Sequence, residues 1–187
     1  MTVTSSSFGE IDSVIVCGRV LMVIKVYRSS TFNLKEIAML FHLLASTMIF
    51  NLIAYFIPKK LTKQEIYATS LFALVYQLLV DTLLDPIFNL YGYFTVGVDI
   101  ITIIPVLGIY PSSSLIYLNY YPFLGSALKK ALYILSWSLF ALFFEWTAIM
   151  AGWFYHDEWK LVYSAVSYPI IFFILTMNLS FYRKLGN

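Results

Sequence analysis

The sequence predicts an all-α fold: a polytopic transmembrane helical bundle of about five spans, preceded by an N-terminal interfacial or additional hydrophobic segment. Three observations carry that expectation. Hydrophobic residues make up 60% of the 187 and charged residues 12%. A soluble domain carries about 25% charged residues, so ionised groups could not cover a water-facing surface here. The aromatic share is 19%, with 15 Tyr and 16 Phe, the residue type that interfacial and lipid-facing positions favour. Apolar runs of about 20 residues, the length a bilayer requires, alternate with short loops that hold Pro, Lys and acids.

Residues 13–27, SVIVCGRVLMVIKVY, are apolar but too short for a comfortable span, and Arg19 and Lys25 lie within them. An interfacial or lid segment is favoured over a sixth span, and residues 1–35 are grouped as that segment. The first span is expected at 36–57, ended by Pro58, Lys59 and Lys60, because proline cannot continue the helix ladder and lysines require water. The second, 66–84, ends at Asp85-Pro86 and puts Ser70, Gln77, Asp81 and Asp85 near one face. The third, 94–110, carries Thr95, Asp99 and Thr102 at helical spacing, with Pro105 as a kink. Residues 111–127, PSSSLIYLNYYPFLGSA, hold two prolines and no charge and read as an aromatic interfacial loop or a short re-entrant element, not a span. The fourth span, 130–153, has a small-residue stripe of Ser138, Ala141, Glu145, Ala148 and Gly152, which permits close helix contact. The loop HDEW leads to a fifth span at 161–182, closed by Arg183-Lys184. The whole chain, 1–187, reads as a single transmembrane domain.

Charge placement sets an orientation. Lys59, Lys60, Lys63, Lys129, Lys130, Arg183 and Lys184 share one face if five spans alternate, so the positive-inside rule puts that face and the C-terminus in the cytoplasm. The N-terminal cations Arg19, Lys25, Arg28 and Lys35 fall on the other face and narrow the margin. Net charge is only +2, too little to suggest a nucleic-acid partner. The lone Cys17 excludes an intramolecular disulfide framework and a cysteine zinc cluster. The first dozen residues, MTVTSSSFGEID, hold two acids and no Lys or Arg, unlike a signal-peptide n-region, so the hydrophobic segments are expected to be retained.

FIPKK after the first span, YYPFLGSALKKALYI, EW followed by GWFYHDEW, and the terminal FYRK together resemble a family of small integral membrane proteins found mainly in spore-forming Gram-positive bacteria. The resemblance covers about 36–184 and is most specific over 120–184. It implies a bacterial cytoplasmic membrane, and it supplies neither an activity nor a catalytic residue, since its motifs are Pro, aromatic and basic positions.

The acids are the sharpest chemical signal. A charge near the bilayer centre costs about 2.5–3.5 kcal/mol on insertion scales, so such residues face a bundle interior or a wet cavity. Antiparallel alternation puts Asp81, Asp99 and Glu145 in the same half of the bilayer, with His42, Ser164, Ser167 and Tyr168 at similar depth. Asp81, Asp99, Glu145, His42 and Gln77 are therefore the candidate ligand- or ion-binding residues. The functional reading is a carboxylate-lined polar cavity that binds a cation, a proton or a small solute. The structural reading is that the acids bond to Tyr, Ser, Thr and Gln, or pair with Arg19 or Lys25, and lock the bundle. His42 reads as a hydrogen-bonded interhelical residue, and the absence of HxxxH or HxxE spacing speaks against metal. Ser112-Ser113-Ser114 lacks a G-x-S-x-G motif or a paired base. No P-loop, dinucleotide fingerprint or EF-hand pattern is present, and no cofactor is implied.

Two functional classes follow. One is a non-enzymatic membrane component, either a solute- or ion-binding protein or an accessory subunit of a larger complex, with the lipid bilayer and a membrane-protein partner or second copy as its surroundings. The alternative is an intramembrane enzyme acting on a lipid or isoprenoid substrate through carboxylate acid–base chemistry. The chain shows no basic phosphate-binding cluster at the depth of the acids, which favours the first.

Overall fold

The structure, a computed structural model, describes residues 12–17, 20–25, 34–94 and 100–186. Its framework is five α-helices: α1 (Leu34–Phe56), α2 (Lys63–Thr82), α3 (Ile103–Tyr120), α4 (Ala127–Ala151) and α5 (Leu161–Leu185). Two pairs of short antiparallel strands complete it: β1 (Asp12–Cys17) with β2 (Val20–Lys25), and β3 (Tyr91–Tyr93) with β4 (Phe154–His156).

Four helices, α1, α2, α4 and α5, are long and apolar enough to cross a membrane. Their outward faces suit lipid. Phe41, Leu139 and Val166 are 73%, 67% and 62% exposed, an apolar surface that a water-soluble monomer of this size does not carry. The expected number of about five spans thus stands at four candidates, because α3 does not qualify.

That third helix is also displaced from the predicted 94–110. Helix α3 begins at Ile103 and runs through to Tyr120, across the stretch read from sequence as an interfacial loop. Proline and serine misled that reading. Pro105 lies in the first turn of α3, where a backbone N–H has no intrahelical acceptor, so it costs no hydrogen bond and has no reason to kink the helix. Pro111 lies in the interior and does cost one. The serines beside it return their hydroxyls to the helix backbone, Ser112 to Gly108 O at 2.7 Å, Ser113 to Tyr110 O at 3.1 Å and Ser114 to Pro111 O at 3.0 Å. Within an apolar bundle these are available means of satisfying the backbone.

Helix α3 is the central element. It wedges between α1 and α2 and reaches α5, while α4 packs on α5 and α1, and α5 on α2. Every residue from Ser114 to Asn119 is buried. Its approach to α1 is close: a Cβ on Gly108 would lie 2.5 Å from Thr47 Cγ2. Asn51 bridges the same crossing, donating to Gly108 O at 3.0 Å and accepting from Ser112 at 2.8 Å. Helix α2 turns a single seam inward, with Glu65, Thr69, Ala73 and Asp81 buried at the four-residue spacing of one helical face.

Helix direction alternates along the chain, so the bundle has two distinct ends. At one, the C-terminus of α3 meets the connection from α1 to α2 through Asn119, which donates to Pro58 O at 3.0 Å and accepts from Lys60 N at 2.7 Å. Glu65 receives Arg183 of α5 there at 2.6 Å. This is the basic end. The other, acidic end holds the last turns of α2 and α4 and the β3–β4 ribbon.

Within the apolar run, the described residues 12–17 and 20–25 form antiparallel strands, with Asp12 opposite Lys25 and Cys17 opposite Val20. Its Val and Ile content suits a strand. A helical sixth span is corrected by that pairing. Arg19 lies outside the described residues, and so does its expected pairing with an acid.

Candidate functional site

The acidic end is assembled by a wide turn and a two-stranded ribbon. Beyond Thr82 the helix loosens into a π-helical turn, Leu83–Ile87, and Asn89 takes a positive φ of 50°, turning the chain into β3. Leu90 O then accepts from Asp157 N at 3.0 Å and from Trp159 N at 2.9 Å, and Asn89 donates to Asp157 Oδ2 at 2.7 Å. These bonds fasten the α2–α3 connection to the HDEW loop. In the ribbon, Tyr91 faces His156 and Tyr93 faces Phe154. Alternation along a strand puts Tyr91 and Tyr93 on one side. Between them, Gly92 leaves room for the Tyr155 ring, whose hydroxyl would lie 2.4 Å from a Cβ at that position.

Both tyrosines point to Asp81. Its Oδ1 accepts from Gln77 Nε2 at 2.7 Å and from the Tyr91 hydroxyl at 2.8 Å, and its Oδ2 accepts from the Tyr93 hydroxyl at 3.2 Å. The Tyr93 and Tyr110 hydroxyls lie 2.6 Å apart. Burial first, then the negative charge of Asp81, pushes the Tyr91 phenol far above its ordinary range. Tyr93 is raised by burial and next by its Tyr110 and Asp81 neighbours. Both therefore stay protonated and serve as donors.

Glu145 is the second centre. Oε1 accepts from Ser164 at 2.7 Å and lies 2.7 Å from His156 Nε2, while Oε2 accepts from Tyr168 at 2.6 Å. Ser164 in turn accepts from Trp159 Nε1 at 2.7 Å. Side chains from α4, α5, β4 and the HDEW loop thus converge on one buried carboxylate. The predicted stripe on α4 does turn inward, with Ser138, Glu145 and Ala148 buried. Gly152 has a different role: it is the left-handed C-cap, at φ 87°, a conformation glycine adopts without a Cβ clash.

Space is left beside these groups. A cavity of about 380 Å³ is bounded by α2, α3, α5 and the β3–β4 ribbon, with Glu145, Gln77, Tyr110 and Tyr168 in its wall. A smaller one of about 130 Å³ reaches the middle of the bundle and shares those four residues. Asp81 lines neither; its partners Gln77, Tyr91 and Tyr93 line the larger one.

Of the residues singled out from sequence, Asp81, Gln77 and Glu145 come together at this end. His42 is at the same end but in other company: its Nδ1 accepts from Trp153 Nε1 at 2.9 Å, and its ring stacks on Phe144 at 6.1 Å. Asp99 and Thr95 lie outside the described residues. Tyr91, Tyr93 and His156 were not among the candidates. The alternating YGY, with a single small residue between two tyrosines, was the available signal for the first two. From sequence His156 reads only as a candidate addition to His42 in a metal site, a reading that the missing HxxxH or HxxE spacing argues against, and not as a partner of Glu145. No group of three or more His, Cys, Asp or Glu side chains that could hold a metal occurs among the described residues. No family model, curated protein or solved structure matches the chain.

Proposed function

We propose that the chain is a small multi-pass protein of a bacterial cytoplasmic membrane, with its C-terminus in the cytoplasm, that binds a cation, a proton or a small solute beside Glu145. The observation that carries this reading is a buried carboxylate in the wall of two adjoining cavities. A carboxylate serving only to fasten helices would be enclosed by its partners. Glu145 has three side-chain partners where a carboxylate group offers about four lone-pair sites, so room for one more contact remains. The alternative of a lipid- or isoprenoid-processing enzyme draws no support from these contacts, because both acids are held by side-chain donors of the bundle itself.

The test is ligand-linked stability of the purified full chain. Thermal unfolding of wild type and Glu145→Gln is followed across proton, sodium and potassium concentrations and a panel of small solutes. Anything that binds only the folded state raises its stability with concentration. A stabilisation present in wild type and absent from Glu145→Gln supports the reading. A variant that is merely less stable, with the same response to every addition, assigns Glu145 to the bundle lock. A reporter fused after Asn187 tests the orientation, and activity only outside the cell would overturn it.

A further inference from the structure

The chemistry of the larger cavity is narrower than its charge alone implies. Seven of its fifteen lining residues are aromatic, and none of the fifteen is Lys or Arg. Most of the polar ends of these rings are already engaged. Tyr91 and Tyr93 donate to Asp81, Tyr110 pairs with Tyr93, Tyr168 donates to Glu145, and the Trp159 N–H goes to Ser164. What the rings offer the cavity is carbon surface beside one carboxylate. An alkali or alkaline-earth ion requires several oxygen ligands to replace its hydration shell; this wall offers one carboxylate, and most of its hydroxyl oxygens are committed to hydrogen bonds with one another or with Asp81 and Glu145.

We propose that the site takes an organic ammonium: a positively charged nitrogen carrying alkyl groups, held against aromatic rings with Glu145 as its counter-charge. This rests on the binding reading above and names its ligand class. Alkylated ammonium spreads its charge over methyl or methylene groups and is attracted to ring faces, the arrangement by which aromatic cages recognise choline-like ligands. A volume of about 380 Å³ falls within the ordinary range for small-molecule sites, roughly 300–1,000 Å³. Asp81 acts here as a positioning residue. By accepting from Gln77, Tyr91 and Tyr93 it fixes three side chains of the cavity wall without lining the cavity itself.

The experiment uses the full chain in an uncharged maltoside detergent. Choline chloride is compared with 3,3-dimethylbutan-1-ol, its uncharged isostere, and with potassium chloride at equal ionic strength. Tryptophan fluorescence and thermal unfolding report binding. Choline should saturate, bind at least about tenfold more tightly than the isostere, a difference of about 1.4 kcal/mol, and lose that advantage in Glu145→Gln. Tyr76→Leu supplies a second variant that does not disturb the carboxylates: Tyr76 lines both cavities and stacks on Phe72 at 6.0 Å. It should weaken choline about three- to tenfold, the share of one cation–π contact, even if Glu145→Gln fails to fold. Equal binding of choline and its isostere overturns the proposal, since the cavity is then only apolar. Stabilisation by potassium or protons that needs Glu145, without any by choline, also overturns it and leaves the broader binding reading standing. No response to any of them overturns both.

Discussion

At the basic end, side chains close the bundle by bonding to backbone. Asn119 reaches Pro58 O and Lys60 N, and Lys59 Nζ donates to carbonyls in the last turn of α1, at Ala54 and Tyr55, and just past it at Ile57. Thr62 and Glu65 form a reciprocal capping box at the start of α2. At the acidic end, side chains close on side chains: two buried carboxylates gather five hydroxyl, amide and imidazole groups from α2, β3, β4 and α5, and a sixth from α5. Caps satisfy orphan backbone groups that every helix end leaves, so the basic end solves a problem any bundle has. No helix end requires a buried Asp or Glu. Glu65, buried at the basic end, serves the cap, whereas the acidic end carries two acids that no cap uses and that apolar packing could have replaced, and the two cavities that Glu145 lines lie there.

Removing a carboxylate should therefore do more damage than removing a cap. Glu145→Ala leaves Ser164, Tyr168 and His156 without their acceptor and should cost about 3 kcal/mol, at roughly 1 kcal/mol for each donor stranded in a buried site. Reversible unfolding in mixed micelles measures the loss, and hydrogen exchange should locate the opening at Phe154–His156 and the start of α5. A cost no greater than that of a basic-end cap variant would erase the distinction between the ends.

The ends also differed in how far sequence revealed them. Four of the five helices were found within a few residues because their apolar runs are long and their stops are local: Pro58 with lysines after α1, and the basic pair at the close of α5. The inward position of Asp81 and Glu145 followed from helical spacing and the cost of charge in lipid, and the Gln77–Asp81 contact is an i, i+4 neighbour. Helix α3 was misplaced because its determinants are not local. Pro111 and the serine triplet are loop signals unless surrounding helices exclude water, and that surrounding is tertiary. Tyr91, Tyr93 and His156 belong to a ribbon whose strands are 61 residues apart, from Tyr93 to Phe154, and no periodicity within either strand announces such a pairing. The strands at 12–25 were missed for a simpler reason: hydrophobicity alone does not separate a short apolar helix from a hairpin.

Asn119 is the sharpest probe of the opposite end. Asn119→Ala removes both bonds that tie the end of α3 to the α1–α2 connection and should cost about 2 kcal/mol, since it strands one backbone donor and one acceptor. Faster exchange should be confined to residues 58–62, with choline binding unchanged. Tyr93→Phe is milder, about 1 kcal/mol for one hydroxyl. It separates Asp81 from Tyr110, so it should also perturb binding in the cavity whose wall Tyr93 forms. A Tyr93→Phe protein with altered stability and unaltered binding would limit Asp81 to fastening helices.

The smallest effect is expected at the Glu65–Arg183 ion pair, which joins α2 to α5 at the basic end. Arg183 Nε donates to Glu65 Oε1 at 2.6 Å, and its guanidinium also lies 4.3 Å from the Phe123 ring centre. Close geometry alone points to a strong link between α2 and α5. The Arg183 side chain is 36% exposed, however, and exposed pairs contribute about 0–1 kcal/mol because water and salt screen them. Glu65 keeps its capping bonds with Thr62 when the arginine is lost, its Oε2 accepting from Thr62 N at 2.7 Å. Arg183→Gln should therefore cost under about 1 kcal/mol, and the gap from wild type should narrow between 10 mM and 1 M salt, where the screening length shortens from about 30 Å to 3 Å. Glu65→Gln should cost more than Arg183→Gln, because it weakens the cap as well as the pair. If Arg183→Gln instead matches the loss in Glu145→Ala and ignores salt, the pair that buried Glu65 makes with Arg183 holds the basic end as strongly as the carboxylates hold the other, and the contrast between the two ends fails.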